Sequence, residues 1–261
     1  MKQTIFLIAI LLMSNLKTFS AGFIIVHEPD FWRRPPPVIP PILPPRPPIP
    51  PRPIWAPLEV NLVQIKTTID DQYATTFIDQ EFYNPNSQRL EGTFILPVPK
   101  GATINKFSME IDGKKVDAEL LDSKKARQIY EDIVRKLKDP ALLEFSDDGL
   151  FKVRVFPIEP NAKKRISLSY SQLLKSDAGL INYLLPLRAG KYSSVPIKNI
   201  SLKIDVKSPR SLKSIYSPSH KVEIKRDGEK MATIGYEESN VKPETDFQLF
   251  FSQEEGEFGI K

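Results

Sequence analysis

Beyond Leu58 the chain alternates hydrophobic and polar residues in short runs, which are separated by turn-forming residues. Residues 59–69 and 73–83 are rich in β-branched and aromatic side chains, and Asp70 and Asp71 lie between them. Such runs favour strands, and polar turn residues between two of them favour a hairpin. We therefore predict an antiparallel hairpin over residues 59–83. Further strands are predicted at 90–96, 104–112, 115–121, 150–156, 165–173, 180–187, 200–206, 221–225, 231–236 and 247–251.

Residues 123–138 break this pattern with a hydrophobic stripe at helical spacing. Asp122 is a suitable N-cap for a helix there, and Asp139 followed by Pro140 would end it. A stripe of this width normally packs against a core, which we favour over a role in binding a partner. The stripe consists of Ala126, Ile129, Tyr130, Ile133 and Leu137.

The N-terminus has the pattern of a secretory signal peptide. Lys2 precedes an apolar run from Ile5 to Met13, and Thr18-Phe19-Ser20 places small residues at the positions that a signal peptidase inspects. A retained membrane anchor is the alternative, but the run is shorter than the roughly 20 residues that span a bilayer. Residues 1–20 are predicted to be a signal peptide, and the protein is predicted to be secreted or to lie in the periplasm or cell envelope.

Residues 35–57 are mostly proline, and such a segment favours the extended polyproline II conformation. At about 3.1 Å per residue it would hold a folded domain roughly 70 Å from the N-terminus. We favour this spacer over a docking ligand in which Arg46 and Arg52 stand among the prolines. The predicted fold class is mainly β: an antiparallel β-sandwich with one embedded amphipathic α-helix, preceded by the signal peptide and a proline-rich linker over residues 21–57.

Three stretches between residues 73 and 170 resemble parts of the vault/inter-alpha-trypsin (VIT) domain, and the resemblance as a whole covers about half of the chain. The first, residues 80–102, has an Asn-Pro turn at Asn84 and a Pro-x-Pro-x-Gly strand exit at Pro97. The second places Ala126, Tyr130 and Glu131 before the run 141–144, and the third is residues 151–170. This resemblance implies a β-rich interaction module over residues 58–188, and residues 189–261 are predicted to add strands that complete the sandwich and to end in a connector.

Proteins similar to this one commonly continue into a von Willebrand factor type A domain, whose metal site uses a D-x-S-x-S run. The chain contains no such run, and residues 245–261 look like the connector that precedes that domain. The sequence is therefore compatible with a fragment, a truncated product or an independent VIT protein. A downstream von Willebrand type A domain is a possible neighbour if the chain is a fragment.

The residue types that support catalysis are scarce. The two histidines, His27 and His220, lie in loop-like segments, and the chain has no cysteine for a disulfide or a thiol nucleophile. The acidic pairs Asp147–Asp148 and Glu254–Glu255 are interpreted as solvated charges. Glu144, Asp147 and Asp148 could converge on a divalent cation only through folding. Asn199 begins a glycosylation sequon but is interpreted as a strand-entry residue. No catalytic, cofactor-binding or metal-binding residue is predicted.

The net charge of +5 is mild, and basic residues alternate with acidic ones, so nucleic-acid binding has little support. The leading hypothesis is an exported, non-enzymatic VIT-type interaction or scaffold module without a cofactor, whose protein or envelope partner is unknown. The alternative is an exported glycoside-type hydrolase that uses a carboxylate pair. A pocket with two facing carboxylates would favour the hydrolase, and an exposed apolar patch would favour the interaction module.

Overall fold

The structure is a computed structural model that describes residues 22–26, 56–111, 113–117, 150–177, 179–188 and 195–254. Within these residues the chain forms fifteen strands and no helix. The strands are β1 (Phe23–Val26), β2 (Glu59–Asp70), β3 (Tyr73–Tyr83), β4 (Leu90–Pro97), β5 (Thr103–Ile111), β6 (Lys114–Asp117), β7 (Leu150–Ile158), β8 (Lys163–Leu173), β9 (Lys175–Asp177), β10 (Leu180–Leu185), β11 (Ile197–Lys207), β12 (Leu212–Tyr216), β13 (Glu223–Asp227), β14 (Met231–Val241) and β15 (Phe247–Gln253).

The predicted fold class, an antiparallel β-sandwich with an embedded amphipathic helix, is wrong in two respects. Every regular element in the described residues is a strand, and residues 123–138, where the helix was predicted, lie outside them. The large sheet is also mixed, because β11 pairs in parallel with β2. The buried residues of the two strands, such as Ile65 and Leu202, stand opposite each other, and the long chain between the strands supplies the crossover that a parallel pair requires.

Eight strands form the main sheet, in the order β13-β14-β11-β2-β3-β8-β5-β6. The predicted hairpin is confirmed: β2 and β3 pair antiparallel from Asp70 opposite Tyr73 to Glu59 opposite Tyr83. The turn between them places Asp71 at a φ of 56°, a left-handed conformation that aspartate tolerates better than most residues. This hairpin sits at the centre of the sheet and fixes which side chains face each side.

Two smaller sheets cover one face of the main sheet, which we call the inner face. The four-stranded sheet β12-β15-β10-β9 contacts it where Tyr183 reaches Thr67 and Thr76. The three-stranded sheet β1-β4-β7 contacts it where the ring of Phe94 packs 6.1 Å from Phe82. Buried hydrophobic residues of all three sheets form one core. The opposite face of the main sheet is the outer face.

The predicted signal peptide lies outside the described residues, as does the predicted linker apart from residues 22–26, 56 and 57. Phe23–Val26, within that linker, form β1, which pairs antiparallel with β4. The predicted domain boundaries at 58, 188 and 189 stay predictions. Among the described residues, no helix has the length and apolar character needed to cross a bilayer.

Candidate functional site

The acidic and histidine residues considered for catalysis are not assembled by the described strands. His27, Glu144, Asp147, Asp148 and Glu255 lie outside the described residues. Glu254 is exposed, with its carboxylate 3.8 Å from the Lys213 ammonium. In the part of the chain that the structure describes, no group of three or more histidine or acidic residues is placed to hold a metal ion.

His220 is held in an aromatic cluster. Its ring lies 4.9 Å from the ring of Tyr236, edge to face, and 5.3 Å from that of Phe247. Its Nδ1 lies 2.9 Å from the Ser219 hydroxyl. Burial lowers its pKa, although the charges of Glu238 and Asp246 act in the opposite direction. The ring packs as a neutral side chain, and the Asp246 carboxylate accepts hydrogen bonds from the backbone N–H groups of residues 187 and 188. These contacts do not form a catalytic triad.

A groove of about 400 Å³ lies beside β11 and β14. Its two carboxylates, Glu237 and Glu238, are successive residues of a strand, so their side chains point to opposite sides. The Glu238 carboxylate already accepts a hydrogen bond from the Tyr236 hydroxyl. The groove therefore lacks the facing pair of carboxylates that glycoside hydrolysis needs. It is lined by Leu62, Asn199, Ile200, Ser201, Glu237, Glu238 and Ser239.

Asn199 is a strand residue at this groove. Its side-chain carbonyl accepts a hydrogen bond of 3.1 Å from the Ser239 hydroxyl, and its amide donates one of 3.5 Å to the backbone oxygen of Asn61. Both contacts tie β11 to the neighbouring strands. The interpretation of Asn199 as a structural strand residue is in keeping with these bonds.

The outer face of the main sheet carries an exposed hydrophobic patch. Tyr73 and Leu173 are directly opposite residues of β3 and β8, with 54% and 75% of their surfaces exposed. Phe77 lies four residues along β3 on the same face and is 37% exposed. Directly opposite side chains on one face of a sheet are in contact range. We call Tyr73, Phe77 and Leu173 the outer patch.

Small hydroxyl residues fill the positions between the three hydrophobic side chains. The hydroxyls of Thr75 and Ser171, another directly opposite pair, lie 3.3 Å apart, and the Asn105 amide donates a hydrogen bond of 2.7 Å to Ser171. The Lys115 ammonium lies 5.8 Å from the centre of the Phe77 ring, in cation–π range. The patch therefore has polar groups between its hydrophobic side chains and lysines beside Phe77, since Lys66 stands directly opposite Phe77 on β2 and Lys115 lies over its ring.

An ion pair fixes the strands beneath one end of this face. The Arg165 guanidinium donates hydrogen bonds to both carboxylate oxygens of Asp79, and the Ser167 hydroxyl donates a further one of 3.1 Å. The Asp79 carboxylate raises the pKa of Arg165 above its ordinary value. Asp79 is only 6% exposed. Its acceptor oxygens are thus occupied by β8, which makes it a structural residue and not a free acid.

Sequence reasoning did not find the outer patch, although it found the two strands that carry it. Residues 73–83 have hydrophobic side chains at both odd and even positions, so alternation alone does not show which side faces solvent. The even positions, such as Ile78 and Phe82, are buried under the smaller sheets. Tyr73 and Phe77 are left on the outer face. A strand with aromatic residues on both faces is the signal that could have pointed to them.

The family model of the Vault protein inter-alpha-trypsin domain matches residues 60–170, from the start of β2 to β8. The chain carries a VIT domain. The resemblance inferred from its sequence is thereby confirmed. Tyr73 and Phe77 lie inside the matched VIT residues, and Leu173 lies just beyond them on the same strand as Tyr170.

Relatives among curated proteins match about half of the chain or slightly more. Von Willebrand factor A domain-containing protein 5A of Mus musculus is 31% identical over 127 residues, which are 48% of this chain and 16% of that protein. Inter-alpha-trypsin inhibitor heavy chain H6 of Homo sapiens is 26% identical over 155 residues, 59% of this chain and 12% of that protein. The match thus spans less than a fifth of either relative.

A solved structure shares the fold over a longer range. A Legionella pneumophila protein described as a nutrient binding protein superimposes with a TM-score of 0.50 at 15% identity, covering 75% of this chain and 67% of the other. At this level of identity the likeness concerns the fold alone.

Proposed function

We propose that this chain is a non-enzymatic VIT-type interaction module, exported to the cell envelope or the extracellular space, which binds a protein partner through the outer patch. The observation that carries the proposal is the exposure of Tyr73, Phe77 and Leu173 together on one face of the main sheet. Large exposed hydrophobic side chains grouped on one face among polar residues favour a protein-binding surface.

The construction of the patch favours binding over catalysis. Its three large side chains stand on neighbouring central strands, so a partner would meet a surface that is already ordered and would lose little freedom on binding. Tyrosine is among the residue types most often found at energetically important interface positions. The groove beside β11 gives the hydrolase alternative no support, since its two glutamates do not face each other.

The signal-like N-terminal pattern supports export. Residues 1–20 combine a basic start, an apolar run and small residues before Ala21. Stability in an oxidising compartment requires no disulfide here, because the core is built from packed hydrophobic residues of three sheets. Intact-mass measurement of the exported protein tests this part separately: a chain beginning at Ala21 supports it, and a chain retaining Met1 contradicts it.

Site-specific photocrosslinking tests the surface. A benzophenone amino acid at position 173 is compared with the same amino acid at position 225, an exposed lysine of the edge strand β13 four strands away from β3. In extracts of the source organism, position 173 should form an adduct with one protein that position 225 does not form. With that protein purified, Leu173→Glu should weaken binding by about tenfold or more without changing the melting temperature. Equal adducts at both positions, or unchanged binding by the variant, would contradict the proposal.

A further inference from the structure

Lysines of the outer face lie close to the aromatic ring at one end of the outer patch. Lys66 of β2 stands directly opposite Phe77, and Lys203 of β11 stands directly opposite Lys66 on its other side. The Lys115 ammonium approaches the same ring from β6. All three lysines are exposed. Phe77 is therefore an exposed ring that has a lysine on either side.

Several acidic side chains of this face are held by other partners within the sheet. The Asp205 carboxylate lies 2.9 Å from the Lys203 ammonium, and the Asp117 carboxylate lies 2.9 Å from that of Lys106. The Asp79 carboxylate is occupied by the groups of β8 described above. These three carboxylates therefore balance charges that lie beside the patch and not the lysines next to Phe77.

Lys66 and Lys115 form no ion pair with an acidic side chain of the described residues. Lys115 lies over the Phe77 ring, although Glu110 of β5 is its directly opposite residue. Lys66 and Lys203 are like charges at directly opposite positions, an arrangement that lowers stability. Neighbouring charges of one sign raise the local concentration of ligands of the other sign. The surface around Phe77 is thus suited to a negatively charged group.

The other end of the outer patch is apolar. Tyr73 and Leu173 form its surface, and Asp70, which stands opposite Tyr73 on β2, has Lys207 of β11 directly opposite on its other side. Opposite charges therefore stand side by side there, and neither sign is in excess. Phe77 follows Tyr73 by four residues along β3, a distance of about 13 Å. The patch has an apolar end and a positively charged aromatic end.

We infer that the outer patch binds an extended acidic segment of a partner protein. An apolar side chain of that segment packs between Tyr73 and Leu173, and its carboxylates, about 13 Å further along, pair with Lys66 and Lys115. This inference rests on the proposed function and names the chemistry of the partner. A sulfated polysaccharide would supply negative charge but no apolar side chain for the Tyr73 end, so the two ends together favour a protein segment.

The probe is a fluorescein-labelled copolymer of glutamate and tyrosine in which glutamate is in excess, because it offers carboxylates and aromatic side chains in one chain. Fluorescence anisotropy measures its binding to the purified protein. Lys66→Glu/Lys115→Glu should weaken binding by about tenfold or more, and Leu173→Glu should do the same. The matched control is Lys221→Glu/Lys225→Glu, which changes the net charge equally at exposed lysines before and within β13 and should bind like the native chain.

Two further polymers separate the two ends of the patch. Polyglutamate should bind about tenfold more weakly than the copolymer, because it leaves Tyr73 and Leu173 uncovered. Heparin, a polysaccharide of higher charge density, should also bind more weakly. Equal binding of heparin and the copolymer, or equal losses in the two double variants, would mean that net charge alone attracts polyanions and would overturn the inference.

A neutral variant keeps the test decisive if the glutamates lower the melting temperature. Lys66→Gln/Lys115→Gln removes both charges without adding new ones and should still weaken copolymer binding; unchanged binding would contradict the inference. If the copolymer does not bind, while Leu173→Glu weakens binding of the photocrosslinked partner, the proposed function stands and the acidic partner is wrong. If position 173 forms no specific adduct, the proposed function itself fails.

Discussion

A cluster of buried hydroxyl groups joins the four-stranded sheet to the main sheet. The Tyr183 hydroxyl lies 2.8 Å from that of Thr67 and 2.9 Å from that of Thr76, and the Thr67 hydroxyl donates to Thr76 over 3.2 Å. Burial raises the pKa of Tyr183, so the phenol stays protonated. Buried polar groups that hydrogen-bond to one another hold their side chains in defined positions, and hydrophobic contacts alone are less specific. The cluster therefore fixes how β10 lies on β2 and β3.

Tyr183→Phe should lower the free energy of unfolding by about 1–2 kcal/mol, because it leaves two buried threonine hydroxyls without the tyrosine partner. Urea denaturation of the purified chain measures the loss. The control is Tyr216→Phe, which removes a phenolic hydroxyl from a side chain that is 45% exposed and stacks on Phe250, away from this cluster. That variant should stay within about 0.5 kcal/mol of the native chain. Equal losses in the two variants would contradict the assigned role of Tyr183.

His220 should make stability depend on pH. Its pKa is lowered from 6.5 by burial in the native protein, so the unfolded chain takes up the proton first as the pH falls. Stability contributed by the neutral ring is therefore present above about pH 6.5 and is lost below it, until the native pKa is reached. The charged or titratable groups that face the ring are Glu238, Asp246 and Tyr236.

The test compares urea denaturation of the native chain and of His220→Gln at pH values of about 7.5 and 5. Glutamine keeps a polar group near Ser219 and does not titrate. The loss of stability between the two pH values should be smaller in the variant, while acidic residues contribute equally to both proteins. An identical loss in both would show that the ring titrates normally in the folded state.

At the scale of elements, local patterns predicted strands well and their partners poorly. The predicted runs 59–69, 73–83 and 90–96 lie within β2, β3 and β4 to within one residue. Alternation reveals a strand because one side chain in two is buried. It does not encode which distant strand lies alongside, and the parallel pairing of β11 with β2 was missed for that reason. Strand β12 was missed because, of its five residues, only Leu212 is buried.

The same limit applies to the candidate site. The sequence favoured a non-catalytic module because it contains few residues suited to catalysis. Whether the acidic residues that it does contain come together depends on the tertiary fold, which the local pattern does not show. The sequence did not locate the outer patch, since exposure of Leu173 depends on the smaller sheets packing on the other face. A leucine that ends a strand of alternating residues has the same local pattern whether its face is covered or not. Whether Leu173 is exposed or buried is therefore decided by the packing of the sheets and not by its local sequence.

At the scale of the whole molecule, the strands after the matched VIT residues complete its core. β11 pairs with the edge of β2 along most of its length, and β11 and β14 of the main sheet and β15 of the four-stranded sheet add side chains to the same buried cluster. An uncovered β2 edge beside Val63 and Ile65 would present unpaired backbone groups next to apolar surface. We therefore expect the unit that folds by itself to be larger than the region matched by the family model. The added buried residues include Ile200, Leu202, Ile204, Val206, Ile234, Phe247, Leu249 and Phe251.

We accordingly expect a chain that ends at Leu187 to lose cooperative folding, although it contains all of residues 60–170. Without β15, the buried face of β10 loses its paired strand, and without β11 the central hairpin becomes an exposed edge. Such a chain should aggregate or elute as an expanded species in size-exclusion chromatography and should show no sharp thermal transition by circular dichroism. A chain ending at Glu254 is the control, because it keeps every described strand and should melt like the full chain. The expectation would be contradicted if the chain ending at Leu187 were monomeric and melted cooperatively. The VIT residues would then fold on their own, and β11–β15 would not be needed to form a stable core.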